Sequence, residues 1–195
     1  MPWKKRTPPA ERTADRAAAR ARALDLLTGR DFACQELYER LCVRFTDEAA
    51  AAAVADMVQL GLLDDRKYAA AKARSLLAQH RSRRAIADVL RRKGVERPVA
   101  EAVLEELYAP EGAPAGALPV GWAVNGAGPD AQAAEAPRDP ELEAAAALVR
   151  RQYARRLAEG REDLVLAALA RRGFSYRTAR AALACAAQGA QPGEP

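Results

Sequence analysis

The sequence predicts an all-α protein, built as an elongated array of three tandem three-helix repeats with about nine helices. The 195 residues are rich in alanine, whereas aromatic residues make up only 5%, and this composition favours closely packed helices over a β-sheet. Apolar residues recur at spacings of three and four, with capping residues before them and glycines after them. The phrases VLRRKGV at 89–95 and ALARRGF at 168–174 share one pattern, which indicates an internal repeat.

These capping and helix-ending residues predict nine helices in three groups of three. The first group is 14–28, 31–45 and 47–60, the second is 65–80, 82–93 and 97–108, and the third is 140–158, 161–172 and 175–187. Residues suited to N-capping stand before several of these segments: Asp31, Thr46, Asp64, Ser82 and Asp139. Pro98 and Pro140 lie near helix starts, where the missing N–H costs nothing.

Three glycines are placed to end helices by the same mechanism. A glycine just past a helix can adopt the left-handed conformation, so that the next residue folds back on the last turn. The predicted fold-backs are Leu62 on Met57 after Gly61, Val95 on Leu90 after Gly94, and Phe174 on Leu169 after Gly173. An offset of 79 residues aligns the second group with the third. The first group aligns less closely, at an offset of 49, because its turn VRFTD lacks the glycine.

The groups define the expected domain organisation: a basic disordered tail at 1–13, repeat one at 14–62, repeat two at 63–108, a Pro/Gly/Ala-rich linker at 109–139, repeat three at 140–187 and a disordered tail at 188–195. The linker has few large apolar residues, as is typical of disordered segments. Trp122 and Val124 within it are either a docking spot or incidental, and an isolated linker aromatic is more often incidental. No apolar run reaches the roughly 18 residues of a membrane span, and no signal peptide is evident. A cytoplasmic monomer is expected.

Positive charge is concentrated in two blocks separated by acidic segments. Residues 66–97 carry 11 basic and 2 acidic residues, and residues 150–180 carry 9 and 3. Either these basic residues only solvate helix surfaces, or they form a continuous basic surface that binds a phosphate backbone or an acidic protein. The scarcity of acidic residues around Asp88 favours the second interpretation. With few aromatic residues to stack on bases, contact with single- or double-stranded DNA would be mainly through the backbone. The candidate contact residues are Lys67, Arg74, Arg81, Arg83, Arg84, Arg91, Arg92, Lys93, Arg150, Arg151, Arg155, Arg171 and Arg172.

The sequence indicates no catalytic, cofactor or metal site. His80 is the only histidine, which excludes His-based triads and multi-histidine metal sites, and it is interpreted as a helix-end or surface residue. No phosphate-binding glycine loop follows a strand pattern. Asp64 and Asp65 are adjacent acids, but an N-cap and a first-turn acid already have a structural role. The three cysteines form no CxxC pair and are interpreted as small core residues: Cys34, Cys42 and Cys185.

Two segments resemble the RecX family of regulatory proteins. GLLDDRKYAAAKAR at 61–74 and HRSRRAIADVLRRKGV at 80–95 are similar to the middle repeat of that family, through Gly61, Leu62, Leu63, Asp65, Tyr68, Ala69, Arg84, Ile86, Leu90, Lys93, Gly94 and Val95. The segment at 23–41 is similar to the first repeat, through Leu24, Leu27, Arg30, Glu36, Leu37 and Leu41. Cys34 departs from that pattern, because a small hydroxyl residue is usual there. The resemblance covers residues 19–108 and 140–187.

The resemblance implies a protein of three three-helix repeats that binds the RecA filament on DNA. Such a protein would inhibit the recombinase, ATPase and coprotease activities of RecA in homologous recombination, DNA repair and the SOS response, without catalytic residues of its own. The linker and the basic tail depart from the family pattern. The residues also leave open a direct, weakly sequence-specific nucleic-acid-binding helical protein and, third, a structural helical scaffold.

Overall fold

The computed structural model describes residues 12–109 and 139–188, and in this part of the chain the predicted all-α class is confirmed. The helices are α1 Arg16–Gly29, α2 Cys34–Leu41, α3 Asp47–Gln59, α4 Asp65–Ala78, α5 Arg83–Arg92, α6 Arg97–Tyr108, α7 Pro140–Leu148, α8 Ala154–Ala158, α9 Glu162–Arg171 and α10 Tyr176–Gln188. A π-helical turn, Val149–Tyr153, joins α7 to α8 without a break. Counting that stretch as one helix, the described residues contain the nine predicted helices in three groups of three. The predicted linker with Trp122, and most of both tails, lie outside the described residues.

Most of the predicted N-caps are confirmed. The side chains of Thr46, Asp64, Ser82 and Asp139 each accept a hydrogen bond from a backbone N–H of the first turn of the helix that follows. The N-cap predicted at Asp31 is wrong, because α2 begins only at Cys34 and the N-cap position holds Ala33, whose side chain accepts no hydrogen bond.

The predicted glycine-ended helices are also present. Gly94 has φ 80° and Gly173 has φ 89°, and the residue after each folds back onto its helix. The Val95 N–H donates to the Leu90 carbonyl at 3.1 Å, and the Phe174 N–H donates to the Leu169 carbonyl at 3.2 Å. Val95 and Phe174 are both buried, so each fold-back adds a core side chain.

Three helix ends differ from the prediction. Helix α2 ends at Leu41 rather than at residue 45, because Phe45 pairs with Thr13 in an isolated β-bridge. After Gly61 the Leu62 N–H bonds to the Met57 carbonyl as expected, but the Leu62 side chain is 52% exposed and Leu63 is buried in its place. Helix α4 ends at Ala78 rather than at residue 80, because His80 takes a left-handed conformation with φ 58°. His80 therefore occupies the kind of position that glycine fills at the end of α5 and α9. Arg81 lies beyond α4 and does not share a helix face with Lys67 and Arg74.

The chain divides into two compact units. Unit 1 consists of Met1–Ser75 and Ile86–Leu104, and unit 2 consists of Leu76–Ala85 and Glu105–Pro195. The largest fully buried side chains of unit 1 include Leu37, Leu41, Met57, Ile86 and Leu90, and those of unit 2 include Leu148, Val149, Val165 and Leu169. The divisions fall within α4, α5 and α6, so each unit contains a contact between consecutive repeats.

Within unit 1 the end of α5 lies against the first turn of α2, and we call this contact junction one. A methyl group added at Gly94 would overlap Cβ and Cγ of Gln35. The first residue of α4 completes the contact, because Oδ1 of Asp65 accepts a hydrogen bond of 2.8 Å from the Cys34 N–H. An acid from the next repeat therefore caps α2, in place of the predicted Asp31.

Within unit 2 the end of α9 lies against the first turn of α5 in the same way, and we call this contact junction two. A Cβ at Gly173 would lie 2.7 Å from Oγ of Ser82. Glu141, from the first turn of α7, accepts a hydrogen bond of 3.2 Å from the Arg83 N–H through Oε1. The internal repeat seen in the sequence thus includes the contact between repeats as well as the helix endings.

Candidate functional site

At junction one the basic residue that precedes the glycine is neutralised. Lys93 donates to Oε1 of Glu36 at 2.9 Å, and Arg30 donates to the same oxygen at 2.8 Å. The Glu36 side chain is only 15% exposed. Burial pushes the pKa of Glu36 upwards, but the hydrogen bonds from Arg30 and Lys93 outweigh it and hold the pKa below its ordinary value. The charge of Lys93 is therefore paired with a carboxylate within unit 1.

At junction two the residue aligned with Lys93 is Arg172, and its guanidinium meets no carboxylate among the described residues. Its Nη2 donates to Oε1 of Gln152 at 2.8 Å, and its guanidinium carbon lies 5.7 Å from the ring centroid of Tyr153. The guanidinium of Arg156 lies 5.8 Å from the same ring. Two arginines are thus gathered around one aromatic side chain of the π-helical turn.

Ser82 connects this group to the start of α5. Its Oγ is buried, donates to the Arg172 carbonyl at 2.9 Å and accepts from the Ala85 N–H at 3.2 Å. Arg84 is adjacent, because its Cβ lies 3.7 Å from the position that a Cβ at Gly173 would take. We call Arg84, Arg156 and Arg172 the junction-two arginine cluster.

Glu141, Arg83 and Tyr108 form a second group of polar residues at junction two. Burial raises the pKa of Glu141, and the hydrogen bond from the Arg83 N–H only partly offsets this. The guanidinium of Arg83 lies 5.7 Å from the ring centroid of Tyr108. Burial raises the pKa of Tyr108 to about 12, with a further contribution from Glu141. Its hydroxyl oxygen has no hydrogen-bond partner in the described part of the chain.

In unit 1 the structure places four of the candidate contact residues on the surface: Lys67, Arg74, Arg91 and Arg92. Lys67 pairs with Asp64 at 3.6 Å and Arg91 with Asp88 at 3.0 Å. Exposed pairs of this kind contribute little to stability but reduce the local positive potential. The fifth candidate, Lys93, is half-buried.

In unit 2 all eight candidates are exposed: Arg81, Arg83, Arg84, Arg150, Arg151, Arg155, Arg171 and Arg172. Of these only Arg155 has a carboxylate partner among the described residues, Glu159 at 3.0 Å. At Gly173 the structure places the segment that carries Arg172 against the start of α5, where Arg84 lies, whereas the sequence indicated only that both arginines belong to basic blocks. Unit 2 therefore holds most of the uncompensated positive charge of the candidate set.

Several residues of this surface were not among the predicted contacts. These residues are Gln152, Tyr153 and Arg156. The basic run RRQYARR contained the signal, but the π-helical turn that places Gln152 and Tyr153 beside Arg172 is not visible in helical periodicity.

The remaining chemical groups have structural surroundings. The three cysteines are free, and only Cys42 is buried; Cys185 is exposed, so its interpretation as a core residue is wrong. Burial, reinforced by the neighbouring charge of Asp65, raises the pKa of Cys34 to about 11, which disfavours its reactive thiolate. Across the described residues no group of three or more His, Cys, Asp or Glu is arranged to hold a metal ion. None of their helices has the length and apolar character needed to cross a membrane.

Comparison with known proteins finds similarity to RecX proteins. Residues 64–104 match the family model for the second three-helix domain of RecX. The crystal structure of RecX from Lactobacillus salivarius is 15% identical with a TM-score of 0.66, and the match covers 89% of this chain and 97% of that chain. A crystal structure of regulatory protein RecX is 20% identical with a TM-score of 0.61, covering 84% of this chain and 68% of that one. No curated protein sequence matches the chain.

These findings agree with the geometry. The matched segment spans α4, α5 and most of α6, and it includes α5, the helix that takes part in both junctions. The two solved structures, at their low identities, show that the fold is shared over most of the chain. The match of residues 64–104 to the second RecX domain, on a fold shared with two RecX structures, supports a protein of the RecX type.

Proposed function

We propose that this protein binds RecA filaments assembled on DNA and inhibits the recombinase, ATPase and coprotease activities of RecA, in DNA repair, homologous recombination and the SOS response. The observation that carries the proposal is the match of residues 64–104 to the second RecX domain. The protein would act as a cytoplasmic monomer, through binding alone and without a cofactor.

The surface charge supports a filament as the partner. Exposed arginines that pair with no carboxylate among the described residues occur in both units, among them Arg74 and Arg92 in unit 1 and Arg84 and Arg171 in unit 2. A RecA filament on DNA offers phosphates and acidic side chains, and both attract guanidinium groups.

The test is ATP hydrolysis by RecA on single-stranded DNA, measured with and without this protein. We expect the rate to fall at substoichiometric amounts of the protein, because one bound molecule affects many RecA subunits of a filament. An unchanged rate at a roughly tenfold molar excess would contradict the proposal. A control with the same DNA and no RecA shows that the protein itself hydrolyses no ATP.

A second candidate is a direct nucleic-acid-binding protein of weak sequence specificity. It is favoured by the number of exposed arginines in unit 2 that lack a carboxylate partner among the described residues. It predicts binding to naked single-stranded DNA at physiological salt, with affinity that falls steeply as salt rises. Binding that appears only when RecA is present would eliminate this candidate.

A further inference from the structure

We infer that the junction-two arginine cluster, Arg84, Arg156 and Arg172, is a binding site for the phosphate backbone of single-stranded DNA, and that junction one is not. The inference deepens the proposed function and rests on it, because a RecA filament contains such DNA. It assigns the contact to one of two structurally matched junctions.

The first support is positioning. Arg172 is fixed by Gln152 at 2.8 Å and by the ring of Tyr153, and its carbonyl is tied to Ser82 at 2.9 Å. A guanidinium held in place loses less entropy when it binds an anion than a free side chain does. The Gln152 contact uses one N–H direction, so the other donors of the guanidinium fork are left for a ligand.

The second support is charge. No carboxylate in the described residues pairs with Arg84, Arg156 or Arg172, and the neighbouring Arg171 and Arg151 are exposed and equally without an acidic partner. At junction one the aligned Lys93 is held by Glu36, which also holds Arg30. At the same place in the repeat, the basic residue therefore has a carboxylate partner in unit 1 and has none among the described residues of unit 2.

The chemistry of the cluster favours a phosphate backbone over an acidic protein surface. Every cation in it is an arginine, whose planar fork matches phosphate oxygens in a bidentate manner. The charges come from three segments, namely the start of α5, the end of α9 and α8 after the π-helical turn. A chain of regularly spaced phosphates meets several such charges at once, with one counterion released for each contact.

The experiment compares two double variants of the full-length protein that remove the same charge. Arg84→Ala with Arg172→Ala alters the cluster, whereas Arg16→Ala with Arg40→Ala removes two exposed arginines of unit 1 that are not candidate contact residues and that pair with no carboxylate among the described residues. Binding to a fluorescently labelled oligo-dT is measured by anisotropy without RecA, over a range of salt concentrations. Circular dichroism confirms that both variants keep their helical content.

We expect the dissociation constant of the cluster variant to rise about tenfold or more, and that of the control variant to change by less than about twofold. The slope of log affinity against log salt falls by about 1.4 in the cluster variant, because two contacts of about 0.7 each are lost. Equal losses in both variants would overturn the inference, since net charge alone would then explain the binding.

The RecA ATPase assay separates this inference from the proposed function. If the wild-type protein binds no naked DNA but still slows RecA, the inference fails and the proposed function stands. If the cluster variant binds DNA normally but no longer slows RecA, the cluster faces an acidic protein surface and the inference also fails. If the cluster variant loses DNA binding while the wild-type protein has no effect on RecA, the inference stands and the proposed function fails.

Positioning by Gln152 gives a finer test. Gln152→Ala keeps every charge and removes only the hydrogen bond that orients Arg172. We expect a rise of about threefold in the dissociation constant with an unchanged salt slope. Arg172→Lys keeps the charge without the fork and should bind more weakly than the wild type but more tightly than Arg172→Ala. Identical binding by the lysine and alanine variants would overturn the bidentate contact.

Discussion

The two junctions have the same backbone construction but differ in how the basic residue before the glycine is paired. In each, a left-handed glycine packs against the first turn of the second helix of the preceding repeat, and an acid from a first helix caps that turn. In junction one the residue before the glycine, Lys93, is bound by Glu36. In junction two that residue, Arg172, is bound only by neutral groups, Gln152 and Tyr153.

This difference separates what the repeat needs for folding from what one copy has available for binding. The glycine and the capping acid serve the fold, because they occur in both junctions and the acid caps backbone N–H groups of a helix start. The residue before the glycine has different partners in the two junctions. In unit 1 it pairs with a carboxylate, whereas in unit 2 it pairs with none among the described residues, so its charge can bind another molecule.

The largest effect is expected at Gly94. Gly94→Ala places a methyl group against the Cβ and Cγ of Gln35 and imposes a φ of 80° on an L-residue. Left-handed strain of about 1 kcal/mol and overpacking of 1–3 kcal/mol together should lower the free energy of unfolding by about 2–4 kcal/mol. The measurement is denaturant unfolding followed by circular dichroism.

Gly61→Ala is the matched control for this variant. Gly61 has φ 68° and no atom within 4 Å of an added Cβ, so only the left-handed strain of about 1 kcal/mol applies. Equal losses at Gly94 and Gly61 would show that the close contact with α2 contributes nothing, and junction one would then be a loose contact.

Junction two predicts a smaller loss at Gly173. A methyl group there would lie 2.7 Å from Oγ of Ser82, and this hydroxyl can rotate away at the cost of its hydrogen bond to the Arg172 carbonyl. We expect Gly173→Ala to lower the free energy of unfolding by about 2 kcal/mol, against about 1 kcal/mol for Gly160→Ala, where the added Cβ meets nothing.

Ser82→Ala provides the second variant for this prediction. Because it removes the clashing oxygen, Gly173→Ala in a Ser82→Ala background should cost about 1 kcal/mol less than in the wild type. Additive losses in the double variant would mean that the hydroxyl does not oppose the methyl group, and that Gly173 is required for its conformation alone.

Much of the fold could be predicted from the sequence because the signals are local. Apolar spacing, N-caps such as Thr46 and the left-handed glycines act within one helix, so the helices and their ends are readable. The start of α2 was misplaced because its cap, Asp65, lies 31 residues away along the chain. The end of α4 was misplaced because His80, rather than glycine, adopts the left-handed conformation.

The candidate site was predictable only as a set of charges. Lys93 and Arg172 align in the repeat, so the sequence predicts them to be equivalent basic residues. Their partners in the structure determine which of the two charges is available to bind another molecule. Glu36 and Gln152 lie 57 and 20 residues from them, so no local pattern shows the difference. The π-helical turn adds to this, because Gln152 and Tyr153, which contact Arg172, both lie in it.

A substitution at Glu36 tests the ion pairs of junction one. Glu36→Gln replaces an acceptor of two charge-assisted hydrogen bonds with a neutral group, and we expect a loss of about 1–2 kcal/mol at pH 7. Because the fold lowers the pKa of Glu36 from 4.5, its contribution is complete above the unfolded pKa and disappears as pH falls through the folded pKa. The difference between wild type and variant in denaturant unfolding should therefore shrink between pH 7 and strong acid. A difference that is constant with pH would contradict the charged contact.

Glu141 is the corresponding acid of junction two, and the smallest effect, with the opposite sign, is expected there. Burial raises its pKa, so the folded state retains the proton more tightly than the unfolded chain does. The penalty for ionisation is absent below the unfolded pKa, grows as pH rises through the folded pKa and is fully present at pH 7. Glu141→Gln keeps an acceptor for the Arg83 N–H without the charge, so it should be neutral or stabilising by a few tenths of a kcal/mol at pH 7. Denaturant unfolding at pH 7 and at mild acid measures this. A clear loss at pH 7 would show that Glu141 is held by its charge, as Glu36 is, and the electrostatic contrast between the two junctions would then be confined to Lys93 and Arg172.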